Sequence, residues 1–183
     1  MLNQKARSAL LALTLAGSLA VPAAAADAQS AAQSTDLLTR GELLTMLYEQ
    51  EGKPAVNYAM DYSDVDGTRT DAEAIRWAAG TGIAGGYGDG RFGPDDPVTR
   101  EQTAVILYRY AQSHDQGFTG AWAFRLPYTD AADIGEYAYE AVCWVTMQQV
   151  LGDTGDGTFA PDATVSQEAG EQIMEQFLTC AEF

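Results

Sequence analysis

The chain has 183 residues, and its 26 acidic residues against 10 lysines and arginines produce a net charge of −16 at pH 7. Such an acidic surface repels nucleic-acid phosphates and anionic membranes, so neither is expected as a partner. Two cysteines and one histidine form no zinc-binding pattern, and no metal or other cofactor is predicted.

The first predicted element is an export signal in residues 1–26. Lys5 and Arg7 provide a positive start, and the apolar run Ala9–Val21 leads to a small-residue cleavage site at Ala24–Ala26. Because the run is short for a membrane span, we expect cleavage and secretion, without membrane insertion of the mature protein. A retained signal anchor is the alternative.

Beyond the signal and a linker at residues 27–36, the sequence contains a repeat. A full second copy at 59–113 aligns with a degenerate third copy at 125–183, and a partial first copy occupies 37–58. The matching positions include Trp77 with Trp144, Gly85 with Gly152, Phe92 with Phe159 and Pro94 with Pro161. Such self-similarity is typical of architectures in which neighbouring units share one core.

Each full copy predicts a helix, a loop and a second helix. Apolar residues at helical spacing place the first helix at about Asp71–Thr81 and Glu136–Gln149. The loop Gly85–Gly90 is rich in residues that tolerate positive φ, and the second helix starts at Thr99. Helices this short cannot bury their apolar faces alone. The predicted fold is therefore all-α, a bundle of helix-loop-helix repeats with approximate threefold symmetry.

The second helix opens with a capping-box pattern in two copies, Thr39 with Glu42 and Thr99 with Gln102. Capping does not explain the arginine that follows each threonine, Arg40 or Arg100. A cation at this position opposes the helix dipole by about 0.3–1 kcal/mol. Free backbone N–H groups and the guanidinium could bind a carboxylate or phosphate, while a salt bridge to a neighbouring acid is an equal alternative.

In order and spacing, Tyr62–Val65, Gly86–Tyr87, Asp89–Phe92 and Thr99–Arg100 resemble the S-layer homology (SLH) motif. The resemblance extends from about Leu37 to Phe177. It implies a pseudo-trimer whose grooves bind anionic secondary cell-wall polysaccharides, often carrying pyruvate ketals, through the arginine. It also implies a secreted protein held non-covalently at the cell wall or cell surface, with no enzymatic activity.

Carried over position by position, the resemblance implies a set of ligand-binding candidates. Arg40 and Arg100 would contact the polymer, and the threonine before each would shape the helix start. Asp64, Gly86 and Trp77 match family positions near a groove. For Trp77, a place in the core is the more typical alternative, because large aromatic side chains dominate protein cores. The full candidate set is Arg40, Arg100, Thr39, Thr99, Asp64, Gly86 and Trp77.

The repeats also depart from the family pattern. The third copy has Val165–Glu168 without an arginine, and Asp153–Thr154 replaces the glycine–tyrosine pair. The first copy has the arginine but no front half. At most two grooves are therefore expected to bind, and fewer linked sites lower the overall affinity.

The sequence leaves three other interpretations open. SLH copies usually tether another domain and none is evident here, so a degenerate module that binds a surface protein as an adaptor is the main alternative. A calcium site at Asp153–Thr164 has too few oxygen ligands for an EF-hand. Paired carboxylates are abundant in so acidic a chain, and no nucleophile–base pattern indicates a glycoside hydrolase.

Cys143 and Cys180 could form a disulfide or remain as two buried thiols.

Overall fold

Five α-helices make up the regular structure of the computed structural model, which describes residues 36–59, 61–119 and 123–180. They are α1 Arg40–Gln50, α2 Ala72–Thr81, α3 Arg100–Ser113, α4 Tyr139–Met147 and α5 Gln167–Cys180. The described ranges contain three isolated β-bridges and no strand, which confirms the all-α prediction. The signal peptide and most of the linker lie outside the described residues. Among the helices that the structure describes, none is long and apolar enough to cross a membrane.

Helix starts follow the predicted capping pattern, fully in one copy and partly in another. Thr39 Oγ1 accepts from the Glu42 N–H at 3.2 Å, and Glu42 Oε2 accepts from the Thr39 N–H at 2.8 Å. Thr99 Oγ1 accepts from the Gln102 N–H at 3.3 Å, but the reciprocal bond is missing. Gln102 Oε1 instead is buried without a hydrogen-bond partner. The second capping box is therefore only half formed.

The first helices of the copies lie close to their predicted ranges, but α4 is shorter than Glu136–Gln149. At its start, the Tyr137 hydroxyl donates to Glu101 at 2.5 Å, before the helix begins. At its end, Gln149 adopts φ 60°, which a helix cannot continue through. Both limits depend on tertiary contacts or backbone geometry that apolar spacing does not encode.

The segments that precede α1, α3 and α5 meet in a closed triangle of backbone hydrogen bonds. The Leu38 N–H donates to Val165 O at 2.8 Å, the Val98 N–H to Leu38 O at 2.9 Å, and the Val165 N–H to Val98 O at 3.0 Å. All three side chains are buried. One equivalent residue from each copy thus surrounds a common axis, which is the threefold relationship that the repeat predicted.

Neighbouring copies pack helix against helix, with α1 on α2 and α3 on α4. Trp77 lies between Tyr48 and Tyr110, with ring centroids 5.7 and 6.2 Å away. Phe177 of α5 contacts both Tyr110 and Trp144, so aromatic rings from all three copies share one core. The second helix of one copy therefore completes its core with the first helix of the next copy.

The two cysteines are not paired with each other. Cys143 is buried on α4, whereas Cys180, the last residue of α5, is exposed. The expectation of two buried thiols is therefore wrong for Cys180, because the end of α5 extends beyond the core.

Candidate ligand-binding groove

The N-terminus of α1 is bound to the loop of the second copy through the backbone. The Arg40 N–H donates to Asp96 O at 3.0 Å, and the Gly41 N–H donates to Pro94 O at 2.9 Å. The same bonds recur at α3, from Arg100 to Ala163 O and from Glu101 to Pro161 O. The expectation that free N–H groups at these helix starts bind an anion is therefore wrong, because carbonyls of the next copy already accept from them.

The Arg40 side chain enters the same loop. Its Nε donates to Phe92 O at 3.3 Å and its Nη2 donates to Gly85 O at 2.8 Å. The guanidinium carbon lies 4.9 Å from the centres of both the Tyr87 and the Phe92 rings. Arg40 is only 6% exposed. The arginine of the first copy is thus held by backbone carbonyls and aromatic faces of the second copy.

No carboxylate lies within ion-pair distance of Arg40 or Arg100 in the described part of the chain. Four other lysines and arginines do pair with acids there, namely Lys53, Arg69, Arg76 and Arg91. The salt-bridge alternative for the two arginines is therefore not realised among these residues. A buried cation without a counter-ion is costly, so its environment favours an anion.

Arg40 opens into a cleft of about 200 Å³ that we call the Arg40 pocket. Its walls are formed by Arg40, residues 84–87, the α3 side chains Gln102, Val105, Ile106 and Arg109, and Tyr137. The three copies each contribute to it, since Arg40 belongs to the first and Tyr137 to the third. Tyr87 is 47% exposed and Tyr137 is 60% exposed, so two aromatic faces border the cleft.

Gly86 forms the wall of the pocket where no side chain fits. A Cβ at this position would collide with the Arg91 carbonyl oxygen, and would lie 2.7 Å from a Tyr62 ring carbon. The Gly86 N–H donates to the Tyr62 hydroxyl at 3.3 Å. Only glycine therefore lets the loop backbone at this position lie so close to the Arg91 carbonyl and the Tyr62 ring.

Asp64 binds the backbone of the loop and does not line the pocket. Its carboxylate accepts from the Phe92 and Gly93 N–H groups, both at 2.8 Å. Burial opposes ionisation, but these backbone bonds and the nearby Arg91 outweigh it and hold the pKa of Asp64 below its usual value. Asp130 makes the same pair of bonds to Phe159 and Ala160 in the third copy.

The remaining predicted site residues lie elsewhere. Trp77 is 6% exposed within the aromatic core, and Thr99 caps α3. Thr39 caps α1 and borders a different cleft. Of the predicted set, the structure therefore brings Arg40 and Gly86 together at the Arg40 pocket.

Arg100 occupies the equivalent place against the loop of the third copy. Its Nε donates to Phe159 O at 2.7 Å and its Nη2 to Gly152 O at 2.5 Å. Burial lowers the pKa of Arg100, and the nearby Tyr128 and Asp130 oppose that shift. The guanidinium contacts one ring, Phe159, because Thr154 stands where the second copy has a tyrosine.

The other pocket residues were not predicted as site residues, and among them Gln102, Arg109 and Tyr137 carry polar groups from outside the loop. The first two lie on one face of α3, together with Val105 and Ile106, at spacings of three, four and seven residues. Helical periodicity could have grouped them with each other. Tyr137 comes from another copy, and no local pattern links it to Arg40. In the ranges that the structure describes, no group of three or more acidic, histidine or cysteine side chains could hold a metal ion.

Comparison with known families identifies the repeat. Residues 61–104 and 127–169 match the family model of the S-layer homology domain. The chain contains S-layer homology domains. The two matches fall in the second and third copies, and the SLH assignment made from the motifs is confirmed. With these domains the protein is associated with the cell surface and cell wall, where SLH domains serve as anchoring modules.

Similar proteins are larger than this SLH chain. It is 26% identical over 144 residues to an endoglucanase of Bacillus sp. (strain KSM-635), covering 79% of the chain and 15% of the relative. Two proteins of Acetivibrio thermocellus also match, "Cell surface glycoprotein 1" at 33% identity over 94 residues and "Cellulosome-anchoring protein" at 30% over 117 residues. These cover 51% and 61% of the chain but 4% and 25% of the relatives. The chain therefore spans a quarter or less of each of them.

Proposed function

We propose that the protein binds an anionic secondary cell-wall polysaccharide non-covalently through the Arg40 pocket, and that it acts as an anchoring module without catalytic activity. The observation that carries the proposal is the buried Arg40 guanidinium, which has no carboxylate partner among the described residues of a chain with net charge −16. An anionic ligand would supply the missing counter-charge to the Arg40 guanidinium.

The pocket offers the groups that an anionic sugar requires. Arg40 donates through Nε and Nη2 to carbonyls, which leaves Nη1 without a partner in the described structure and available to a carboxylate oxygen. The exposed rings of Tyr87 and Tyr137 provide apolar faces for a sugar ring. Gln102 also lines the pocket, and its Oε1 is a buried acceptor without a hydrogen-bond partner among the described residues.

The names of the relatives support anchoring more than catalysis. One relative is a cellulosome-anchoring protein and another a cell surface glycoprotein, and both contain a region similar to this chain. The endoglucanase match covers 15% of that enzyme, which leaves most of its length unmatched. Because SLH copies make up most of the described chain, the function that we assign is that of the repeat.

Cosedimentation with purified cell-wall sacculi tests the proposal. Wild-type protein should bind intact sacculi, and removal of the secondary polysaccharide should abolish binding. Arg40→Gln should weaken binding at least about tenfold, which corresponds to about 1.4 kcal/mol. Arg125→Gln is the matched control, since Arg125 is an exposed arginine outside the pocket.

A thermal melt of each variant separates lost binding from lost folding, because Arg40 also holds the loop. Equal binding to stripped and intact sacculi would exclude the polysaccharide as ligand. If Arg40→Gln also had no effect on binding to sacculi, the bound species would be a protein partner at the cell surface and not the polysaccharide. Release of sugars during the assay would contradict the absence of catalysis.

A further inference from the structure

The Arg40 pocket has a pseudo-equivalent pocket elsewhere on the molecule. In the Arg40 pocket, α3 contributes its third, sixth and seventh residues, which are Gln102, Val105 and Ile106. A second cleft is lined by the third, sixth and seventh residues of α1, which are Glu42, Thr45 and Met46. The cleft has a volume of about 470 Å³, and we call it the Gln167 pocket.

Other positions correspond in the same way. The first residue of the preceding copy's second helix is Arg40 in one pocket and Gln167 in the other. Tyr137, two residues before α4, lines the Arg40 pocket. Thr70, two residues before α2, lines the Gln167 pocket in the same way. The two clefts are thus the same place in the pseudo-threefold arrangement, occupied by different side chains.

The Gln167 pocket has the opposite electrostatic character. Its lining includes four carboxylates and one guanidinium, and the latter, Arg69, is already bonded to Asp71 and Asp95. Gln167 Nε2 donates to Glu42 Oε2 at 2.7 Å, so the position of the arginine is taken up by an internal contact. Because like charges repel, a polyanion would be disfavoured here.

The third pseudo-equivalent position, around Arg100, also lacks the features of the Arg40 pocket. Asp153 and Thr154 stand where the second copy has Gly86 and Tyr87. On α5, Ala169 is the third residue, where α3 has Gln102. This position retains Arg100. Compared with the loop of the second copy, its loop gains the carboxylate of Asp153 and lacks the exposed tyrosine ring.

The tenth residue of the second helix differs in all three copies. It is Glu49 in α1, Arg109 in α3 and Gln176 in α5. Glu49 is paired with Lys53 at 2.8 Å, whereas exposed Arg109 lines the Arg40 pocket and forms no ion pair with a described residue. Among the three positions, the Arg40 pocket is therefore the one with two cations and no acid in its lining.

We infer that Arg109 is a second anion contact, and that, of the three pseudo-equivalent positions in the described residues, the Arg40 pocket is the one that binds the polymer. This inference rests on the proposed function of the same pocket. Two arginines line one cleft, and neither forms an ion pair with a described residue, which suits an anionic group that binds there. The absent arginine of the third copy and the absent loop of the first copy fall at one position, the Gln167 pocket. The absent first helix of the first copy also leaves the Arg100 position without an equivalent of Tyr137.

Isothermal titration calorimetry of the full chain tests the inference. The probe is an oligosaccharide one repeating unit long, size-fractionated from the purified secondary polysaccharide after its partial depolymerisation. We expect one oligosaccharide bound per chain. Arg109→Gln should weaken binding by about threefold to tenfold without changing that stoichiometry. Arg125→Gln removes the same charge from an exposed position outside the pocket and should leave binding unchanged.

Arg100→Gln separates one groove from two. Under the inference it changes neither the stoichiometry nor the affinity, as long as a thermal melt shows the variant folded. Two oligosaccharides per chain in the wild type, or binding by Arg109→Gln that equals that of Arg125→Gln, would overturn the inference while leaving the proposed function intact. A wild-type chain that binds no oligosaccharide would overturn the proposed function and this inference together.

Discussion

The Arg40 guanidinium of the first copy lies 4.9 Å from the centre of the Tyr87 ring of the second copy. The Tyr87 hydroxyl donates to Asp96 at 3.0 Å, which fixes the ring over the arginine. Thr154 occupies the matching place in the third copy, so Arg100 has no second ring. This contact between copies distinguishes the two arginine positions.

Replacing Tyr87 with alanine should destabilise the protein and weaken polymer binding, because the cation–π contact is lost. Such contacts contribute about 0.5–2 kcal/mol. Tyr87→Phe keeps the ring and should lose less stability, since only the hydrogen bond to Asp96 disappears. Urea denaturation of both variants measures the free energy of unfolding. Equal losses for alanine and phenylalanine would show that the ring contributes nothing to holding Arg40.

Gly86→Ala should lower the free energy of unfolding by about 1–3 kcal/mol, because the new methyl group collides with the Arg91 carbonyl and the Tyr62 ring. Gly85→Ala is the matched control, since a Cβ there meets no atom within 4 Å. Thermal or urea unfolding of the two variants tests the difference. If Gly85→Ala were equally destabilised, loss of glycine flexibility rather than this collision would be the cause.

Asp64→Asn should destabilise the protein by about 1–3 kcal/mol at pH 7, because one carboxylate oxygen no longer accepts a backbone N–H. The native pKa of Asp64 is lowered, so its stabilising effect is complete above the usual value of about 3.9. That effect declines as the pH falls through the native pKa. The difference in unfolding free energy between wild type and variant should therefore shrink below about pH 4.

Urea denaturation at several pH values measures this difference. The unfolding free energy of the variant must be subtracted from that of the wild type at each pH. Other carboxyl groups with lowered pKa values, those of Asp66, Asp95 and Asp156, also titrate in the acidic range. A difference that stays constant down to pH 2.5 would contradict the assigned role of the Asp64 carboxylate.

The two thiols should react at very different rates. Burial raises the pKa of Cys143 to about 11, so at pH 8 it is almost entirely protonated and also inaccessible. Cys180 is exposed. Titration with Ellman's reagent should detect one thiol in the native protein and two after unfolding in urea. A count of zero before reduction would instead indicate a disulfide.

Local features of the sequence were sufficient to predict the fold class. Thr39 and Thr99 cap helices because a hydroxyl and the N–H three residues later are neighbours in the chain, whatever the rest of the molecule does. The recurrence of Trp77 at Trp144 likewise predicted shared cores, and both residues lie in the aromatic cluster. Such features need no knowledge of which copy packs against which.

The sequence by itself thus determined the repeat and the starts of α1 and α3, since each depends on neighbouring residues or on self-similarity. Only the tertiary structure decided that Arg40 belongs to the loop of the following copy and shares a pocket with Arg109 and Tyr137. It also decided that the N–H groups expected to hold an anion are bound to carbonyls. The physical reason is that the closed triangle of Leu38, Val98 and Val165 sets the order of the copies around the axis, and no residue pattern within one copy records that order.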